Sequence, residues 1–171
     1  MNHQSFANAR VWRLGADIDT DALAPGAYMK HGLDIIGQHC LEALRPDFAA
    51  GVRPGDVLVA GPNFGIGSSR EQAAGVLRHL GVAAVVAPSY SGLYFRNAFN
   101  LGLLLLTCPQ AERLEEGERL ALRFAGTTPE LLRASGEGLP CAPIPDFLMD
   151  MVDAGGLLPL LKHRLQRQAQ G

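Results

Sequence analysis

At 171 residues, 47% hydrophobic and 19% charged, the chain is long enough to bury one substantial core and short of two comfortable ones. A formal net charge of −2 argues against general affinity for nucleic acid or anionic membrane. The longest apolar runs, around Leu101–Leu106, fall far below the roughly 20 residues of a membrane span, and the mostly polar Met1–Arg10 does not read as a signal peptide.

In chain order, Ala9–Leu14 reads as a strand leading into a long acidic loop, Gly15–Gly32. Asp34 caps an expected helix, Asp34–Leu44, which Pro46 ends. The turn signal Pro54-Gly55 precedes a short buried strand, Asp56–Ala60, and Gly61–Gly67 is a glycine-rich loop. Helix Ser68–Leu80 follows, closed by Gly81, then strand Val82–Ala87, helix Leu93–Asn100 and strand Leu103–Thr107. Continuous apolar runs alternating with helices predict a parallel sheet covered on both faces. Beyond Pro109 the pattern changes. Arg119–Phe124 and Leu139–Pro143 read as antiparallel strands around the turn Ser135–Gly138, and two closing helices, Ile144–Asp153 and Leu157–Arg167, are split by Gly155-Gly156. Gln166–Gly171 reads as a frayed tail.

Cys40, Cys108 and Cys141 are odd in number, far apart and without a CxxC pair. Neither a disulfide framework nor a self-contained zinc or iron–sulfur site is expected of them. They read as small core hydrophobes of a chain from a reducing, cytoplasmic compartment. His79 reads as a half-buried packing residue, and His31 and His39 lack a third ligand for a metal.

Two segments carry chemistry. Asp17, Asp19 and Asp21 place three carboxylates two residues apart. This is not a calcium loop, because Ala22 stands where the turn glycine belongs and Tyr28 where the bidentate glutamate belongs. A phosphoryl-accepting aspartate and a set of Asx-turns are the readings left open. The second segment, Gly61–Glu71, lies between a strand and a helix. It is no nucleotide loop: Gly67 precedes Ser68 where a Walker motif has Lys, and Arg70 stands where a dinucleotide fingerprint has Gly. Ser68 with Glu71, and Ser69 with Gln72, match capping boxes. Capping leaves Gly65, Gly67 and Arg70 unexplained. Two hydroxyls and a guanidinium at a helix N-terminus suit a carboxylate ligand.

Four blocks occur in family order: VWRLGADIDTDALAPGAYM (Val11–Met29), GPNFGIGSSREQAA (Gly61–Ala74), YFRNAFNLGL (Tyr94–Leu103) and PIPDFLMDMVDAGGLLPLLK (Pro143–Lys162). Over nearly its whole length the chain resembles the small subunit of 3-isopropylmalate dehydratase, the separate-chain equivalent of the swivelling domain of aconitase. The resemblance implies one α/β swivelling domain over residues 1–171, a β/β/α arrangement around a mixed, partly closed sheet. It implies a large dehydratase subunit as partner, holding a [4Fe–4S] cluster, with no cofactor or metal on this chain. It implies a small hydroxy-acid substrate, with a 2-alkylmalate of leucine biosynthesis foremost.

Matched by motif, Ser68 is implied as the general base, with Ser69 and Arg70 on a substrate carboxylate. Asp19, Thr20, Tyr28 and Lys30 complete the implied substrate-binding set. An ordinary serine is a poor base and needs its alkoxide stabilised, by backbone N–H groups and the helix terminus. The sequence departs from many members at Ala27, where they have Arg before Tyr28, and Lys30 or His31 is left as the cation of that loop. Homoaconitate, dimethylmalate and methylmalate hydro-lyases, and a non-catalytic carboxylate-binding module, are the rival readings.

Overall fold

The computed structural model describes residues 5–171. Residues 1–4, which belong to the polar N-terminal stretch and to the single-domain reading, lie outside the described residues.

Strand β1 (Phe6–Arg13) is the spine of a seven-stranded mixed sheet. On one side lie β2 (Val57–Val59), β3 (Ala84–Ala87) and β4 (Leu105–Thr107), all parallel, with Val11 opposite Val57 and Val57 opposite Ala84. Every residue of β2 and β3 is buried, as unbroken apolar strands require when both sheet faces are covered. On the other side β5 (Arg119–Ala125), β6 (Thr128–Arg133) and β7 (Gly138–Pro140) run antiparallel. Along β5, buried Leu120 and Leu122 alternate with more exposed neighbours, the period of a strand with one covered face. The sheet curls until the chain beyond β7 meets its opposite edge, where Ala142 N–H donates to Thr107 O at 2.8 Å. The mixed, partly closed sheet expected from the resemblance is therefore the observed one.

The helices are α1 (Thr20–Leu23), α2 (Leu33–Gln38), α3 (Phe48–Gly51), α4 (Gln72–His79), α5 (Gly92–Asn100), α6 (Asp146–Ala154) and α7 (Leu157–Gln170). Three of them correct the sequence reading. Helix α2 stops at Gln38 instead of reaching Leu44, because Leu41 turns to φ 61° and gives its N–H to Ala22 O at 2.9 Å, and its N-cap is Gly32 rather than Asp34. Helix α4 starts at Gln72, four residues after Ser68. Helix α7 runs on through Gln166–Gln170, so the expected frayed tail is helical. Strand β6 was not expected at all. It pairs with β5 through the two-residue turn Gly126-Thr127, and only its far end meets the predicted Ser135–Gly138 turn. His79 is exposed rather than half-buried.

The parallel half positions the loops that matter. Adjacent parallel strands end at one edge, so the segments leaving β1, β2 and β3 emerge side by side, at the edge where open α/β sheets bind ligands. Those segments are stitched together beyond the strands. Gly61 N–H donates to Gly15 O (3.0 Å), Asp17 to Pro62 O (2.9 Å), Gly65 to Ile18 O (2.7 Å), Thr20 to Ile66 O (2.8 Å) and Phe64 to Ser89 O (3.1 Å).

Candidate active site

Each carboxylate of the first segment has a definite partner. Asp17, at φ 57°, accepts from Asn63 Nδ2 at 2.9 Å. Asp19 caps α1, accepting from Ala22 N–H at 2.7 Å. Asp21 Oδ1 accepts from Gly26 N–H (2.9 Å) and from Arg70 Nη1 (2.8 Å). Arg70 and the Gly26 N–H hold the Asp21 carboxyl below its ordinary carboxylate range. Asp19 and Asp21 thus satisfy nearby backbone N–H groups, while Asp17 through Asn63 and Asp21 through Arg70 join the two segments.

Ser68 does not cap α4. The N-cap is Glu71, and no side chain bonds the first turn there. Ser68 N–H instead donates to Thr20 Oγ1 at 3.1 Å, and the two hydroxyl oxygens lie 3.2 Å apart. A helix begun at Ser68 would forfeit this bond. The stabilising groups expected at Ser68, backbone N–H groups at a helix terminus, are replaced by a neighbouring hydroxyl. Thr20 itself is buried, whereas Ser68 and Ser69 are exposed.

Arg70 is turned back toward α1, where Nη1 donates to Asp21 Oδ1 and to Ala24 O at 2.9 Å. Among the described residues Nη1 alone is engaged, so Nε and Nη2 keep an edge for a second carboxylate. The turn Gly26–Tyr28 starts beside this guanidinium: a Cβ at Gly26 would lie 3.6 Å from Nη2. Tyr28 stacks flat on His39, ring centroids 3.6 Å apart, and His39 Nδ1 meets Glu42 Oε2 at 2.7 Å. Lys30 and His31 are exposed in the loop that follows. Asn97 of α5 reaches the Ser69 carbonyl at 3.5 Å.

The two glycines of the loop have separate reasons. A Cβ at Gly65, where φ is 83°, would fall 2.2 Å from Tyr94 Cγ; at Gly67, where φ is 107°, it would press on Thr20 Oγ1 at 3.1 Å. The first lets the loop lie on a buried ring, the second lets Ser68 reach Thr20.

Ser68, Thr20, Arg70 and Asp21 are therefore brought together. Asp21 is the member that sequence reasoning left out of the site; its only signal was its place in the acidic triplet. A cavity of about 290 Å³ next to this group is lined by Asp17, Asp19, Asp21 and Glu42, a lining that repels an anionic ligand. The surface formed by exposed Ser68 and Ser69 with half-buried Arg70 is the part suited to an anion. Among the described residues no group of three His, Cys, Asp or Glu side chains is placed to hold a metal ion, and the three cysteines are buried free thiols. These residues do not fit an iron–sulfur cluster, which takes several thiolates converging on one point.

The model of the aconitase C-terminal domain matches residues 47–111. The 3-isopropylmalate dehydratase small subunit 1 of Archaeoglobus fulgidus is 41% identical over 159 residues, covering 92% of this chain and 98% of that protein. The chain belongs to the 3-isopropylmalate dehydratase small-subunit family. Other proteins similar to this chain differ in their stated reaction. The isopropylmalate/citramalate isomerase small subunit of Methanocaldococcus jannaschii is 38% identical over 95% of this chain and 97% of its own. The homoaconitase small subunit of Methanothermobacter thermautotrophicus is 37% identical over 91% and 90% respectively. In three dimensions the chain superposes on the crystal structure of 3-isopropylmalate dehydratase from Methanocaldococcus jannaschii with a TM-score of 0.89 and 31% identity, covering 98% of this chain and 99% of that one. No helix among the described residues is long and apolar enough to cross a membrane.

Proposed function

We propose that this chain is the small subunit of a two-subunit, cytoplasmic iron–sulfur hydro-lyase that dehydrates and rehydrates a 2-alkylmalate, 3-isopropylmalate foremost. The observation that carries the reading is the pairing of an exposed, hydroxyl-supported Ser68 with an Arg70 whose guanidinium is anchored on one nitrogen and open on the others. Removing water from a 2-hydroxy acid needs a Lewis acid on the departing hydroxyl and a base for a carbon-bound proton. The Lewis acid is a [4Fe–4S] cluster on the large subunit. In the small subunit, Ser68 takes the proton, Ser69 and Arg70 hold a carboxylate, and Tyr28 and Lys30, in the loop that follows Pro25, discriminate the variable substrate group. Asp19 acts on the same site by capping α1. An exposed base cannot exclude water by itself, so the large subunit closes the site over Ser68. The chain, residues 1–171, acts in this reading as a single swivelling domain.

The reading is tested by co-purifying the chain with its large subunit under anaerobic conditions and assaying a panel of hydroxy acids. Turnover of 3-isopropylmalate above the other substrates is the expected result. Homoaconitate or citramalate turning over first would move the substrate within the family, as Ala27 and the two relatives with those names make reasonable. No turnover of any hydroxy acid by the assembled pair would overturn the reading in favour of a carboxylate-binding module.

Arg70→Lys should lower kcat/KM by about 10- to 100-fold, the loss of a charge-assisted bond. One ammonium cannot serve Asp21, Ala24 O and a substrate carboxylate together, as the planar fork can. Steady-state kinetics of the assembled enzyme, checked by a thermal melt, give the answer. Kinetics equal to wild type would place Arg70 outside the site.

A further inference from the structure

We propose that Thr20 is a positioning residue for Ser68: its hydroxyl donates to Ser68 Oγ, orients that oxygen and favours its deprotonated form. The inference rests on the reading of Ser68 as base and deepens it. A threonine hydroxyl has one hydrogen and two acceptor lone pairs. At Thr20 one lone pair is filled by Ser68 N–H at 3.1 Å, and the only other partner among the described residues is Ser68 Oγ at 3.2 Å.

Thr20 is 3% exposed, so water does not readily serve its hydrogen. A buried hydroxyl left without an acceptor is costly. The hydrogen therefore goes to Ser68 Oγ, while Ser68, being exposed, turns its own hydrogen outward. A donor aimed at an oxygen stabilises that oxygen's anionic form over its neutral form. In the reaction, Ser68 first gives its own proton to water. The resulting alkoxide takes the carbon-bound proton, and the C–H electron pair becomes the new C=C bond. The hydroxyl departs as hydroxide with the C–O pair, and the proton released by Ser68 converts it to water. Throughout, the Thr20 hydrogen stays on Thr20.

The geometry around the pair is arranged for this contact. Thr20 is the first residue of α1 and its N–H is fixed on Ile66 O at 2.8 Å. Gly67 lacks the Cβ that would press on Thr20 Oγ1 at 3.1 Å. A purely structural role, tying one loop to the next, would need only the Ser68 N–H bond and would be blind to the ionisation of Ser68.

The test places a titratable group at the same point. In the full chain carrying Ser68→Cys, alkylation by iodoacetamide is followed against pH. The native Cys40, Cys108 and Cys141 are 0%, 0% and 5% exposed, so the new thiol reports alone. Adding Thr20→Val should move its ionisation midpoint up by roughly half to one pH unit, and Thr20→Ser should restore it. Thr20→Ala reads the same direction should the valine variant not fold. In the assembled enzyme with Ser68 intact, Thr20→Val should lower kcat by about 10- to 100-fold with KM held within about two-fold, and the acid limb of kcat should move to higher pH. A midpoint unmoved in both Thr20→Val and Thr20→Ala, or not restored by Thr20→Ser, overturns the inference. Ser68→Ala with normal turnover would instead remove Ser68 as the base, an outcome independent of the thiol titration.

Discussion

Ser68→Ala should leave a folded, assembling subunit that binds substrate and turns over about 10²- to 10⁴-fold more slowly, the contribution of a positioned proton acceptor. The prediction separates two roles that the sequence allowed for one residue. Had Ser68 capped α4, alanine would cost about 1 kcal/mol of stability and leave chemistry nearly intact. The structure puts the N-cap at Glu71 and gives Ser68 no bond to the first turn. The residue is exposed, and among the described residues the one hydrogen-bond partner of its hydroxyl is Thr20. Stability should fall by about 1–3 kcal/mol, because alanine leaves the buried Thr20 hydroxyl without its acceptor, so turnover is what separates the two roles. The two measurements are a chemical denaturation curve and the kcat of the enzyme assembled with its large subunit. A stable variant with most of its turnover would refute Ser68 as the base.

The second large effect is expected at Gly65. Gly65→Ala should destabilise by about 3–5 kcal/mol, a strained left-handed backbone and an overpacked contact acting together. The new methyl would lie 2.2 Å from Cγ and 2.5 Å from Cβ of Tyr94. Tyr94 cannot retreat: it is 2% exposed, its hydroxyl donates to Ala73 O at 3.0 Å, and the Phe64 ring stands edge-on 5.3 Å away. A loss of this size is a large share of the roughly 5–15 kcal/mol that typically holds a domain together. Turnover should fall with it, because Gly65 begins the stretch that delivers Ser68. Gly92→Ala is the control, since a Cβ there meets nothing within 4 Å. Denaturation midpoints of the two variants decide the matter. Equal stability of Gly65→Ala and wild type would show that the loop does not lie on Tyr94 as described.

The parallel half was legible because its code is local. Val57–Val59 and Ala84–Ala87 lie in unbroken apolar runs bounded by glycine and proline, and they are buried on both faces. The glycine-rich loop was legible for the same reason, as two glycines and an arginine exceed what capping requires. What stayed hidden depends on distant partners. Helix α2 ends where Leu41 N–H finds Ala22 O, a bond no local pattern announces. Strand β6 has Pro129 at its second position and a broken alternation, and only the two-residue turn Gly126-Thr127 marked a hairpin there. In the site, Thr20 and Asp21 are adjacent in sequence, yet one faces Ser68 and the other Arg70. Their separate duties follow from the side-by-side path of the two loops.

The place of β1 in the sheet has a consequence for how the chain matures. Of the seven strands the spine strand leaves the ribosome before the others, so both its neighbours are made later. Val11 waits for Val57, and Arg10 for Arg119. The parallel half can gather once Thr107 has emerged, with one flank of β1 still unpaired until β5 is translated. During that interval the nascent chain presents a bare strand edge, the feature most prone to pairing with another molecule. Synthesis of Gly117–Ala125 is thus the moment at which the half-built sheet loses its exposed spine.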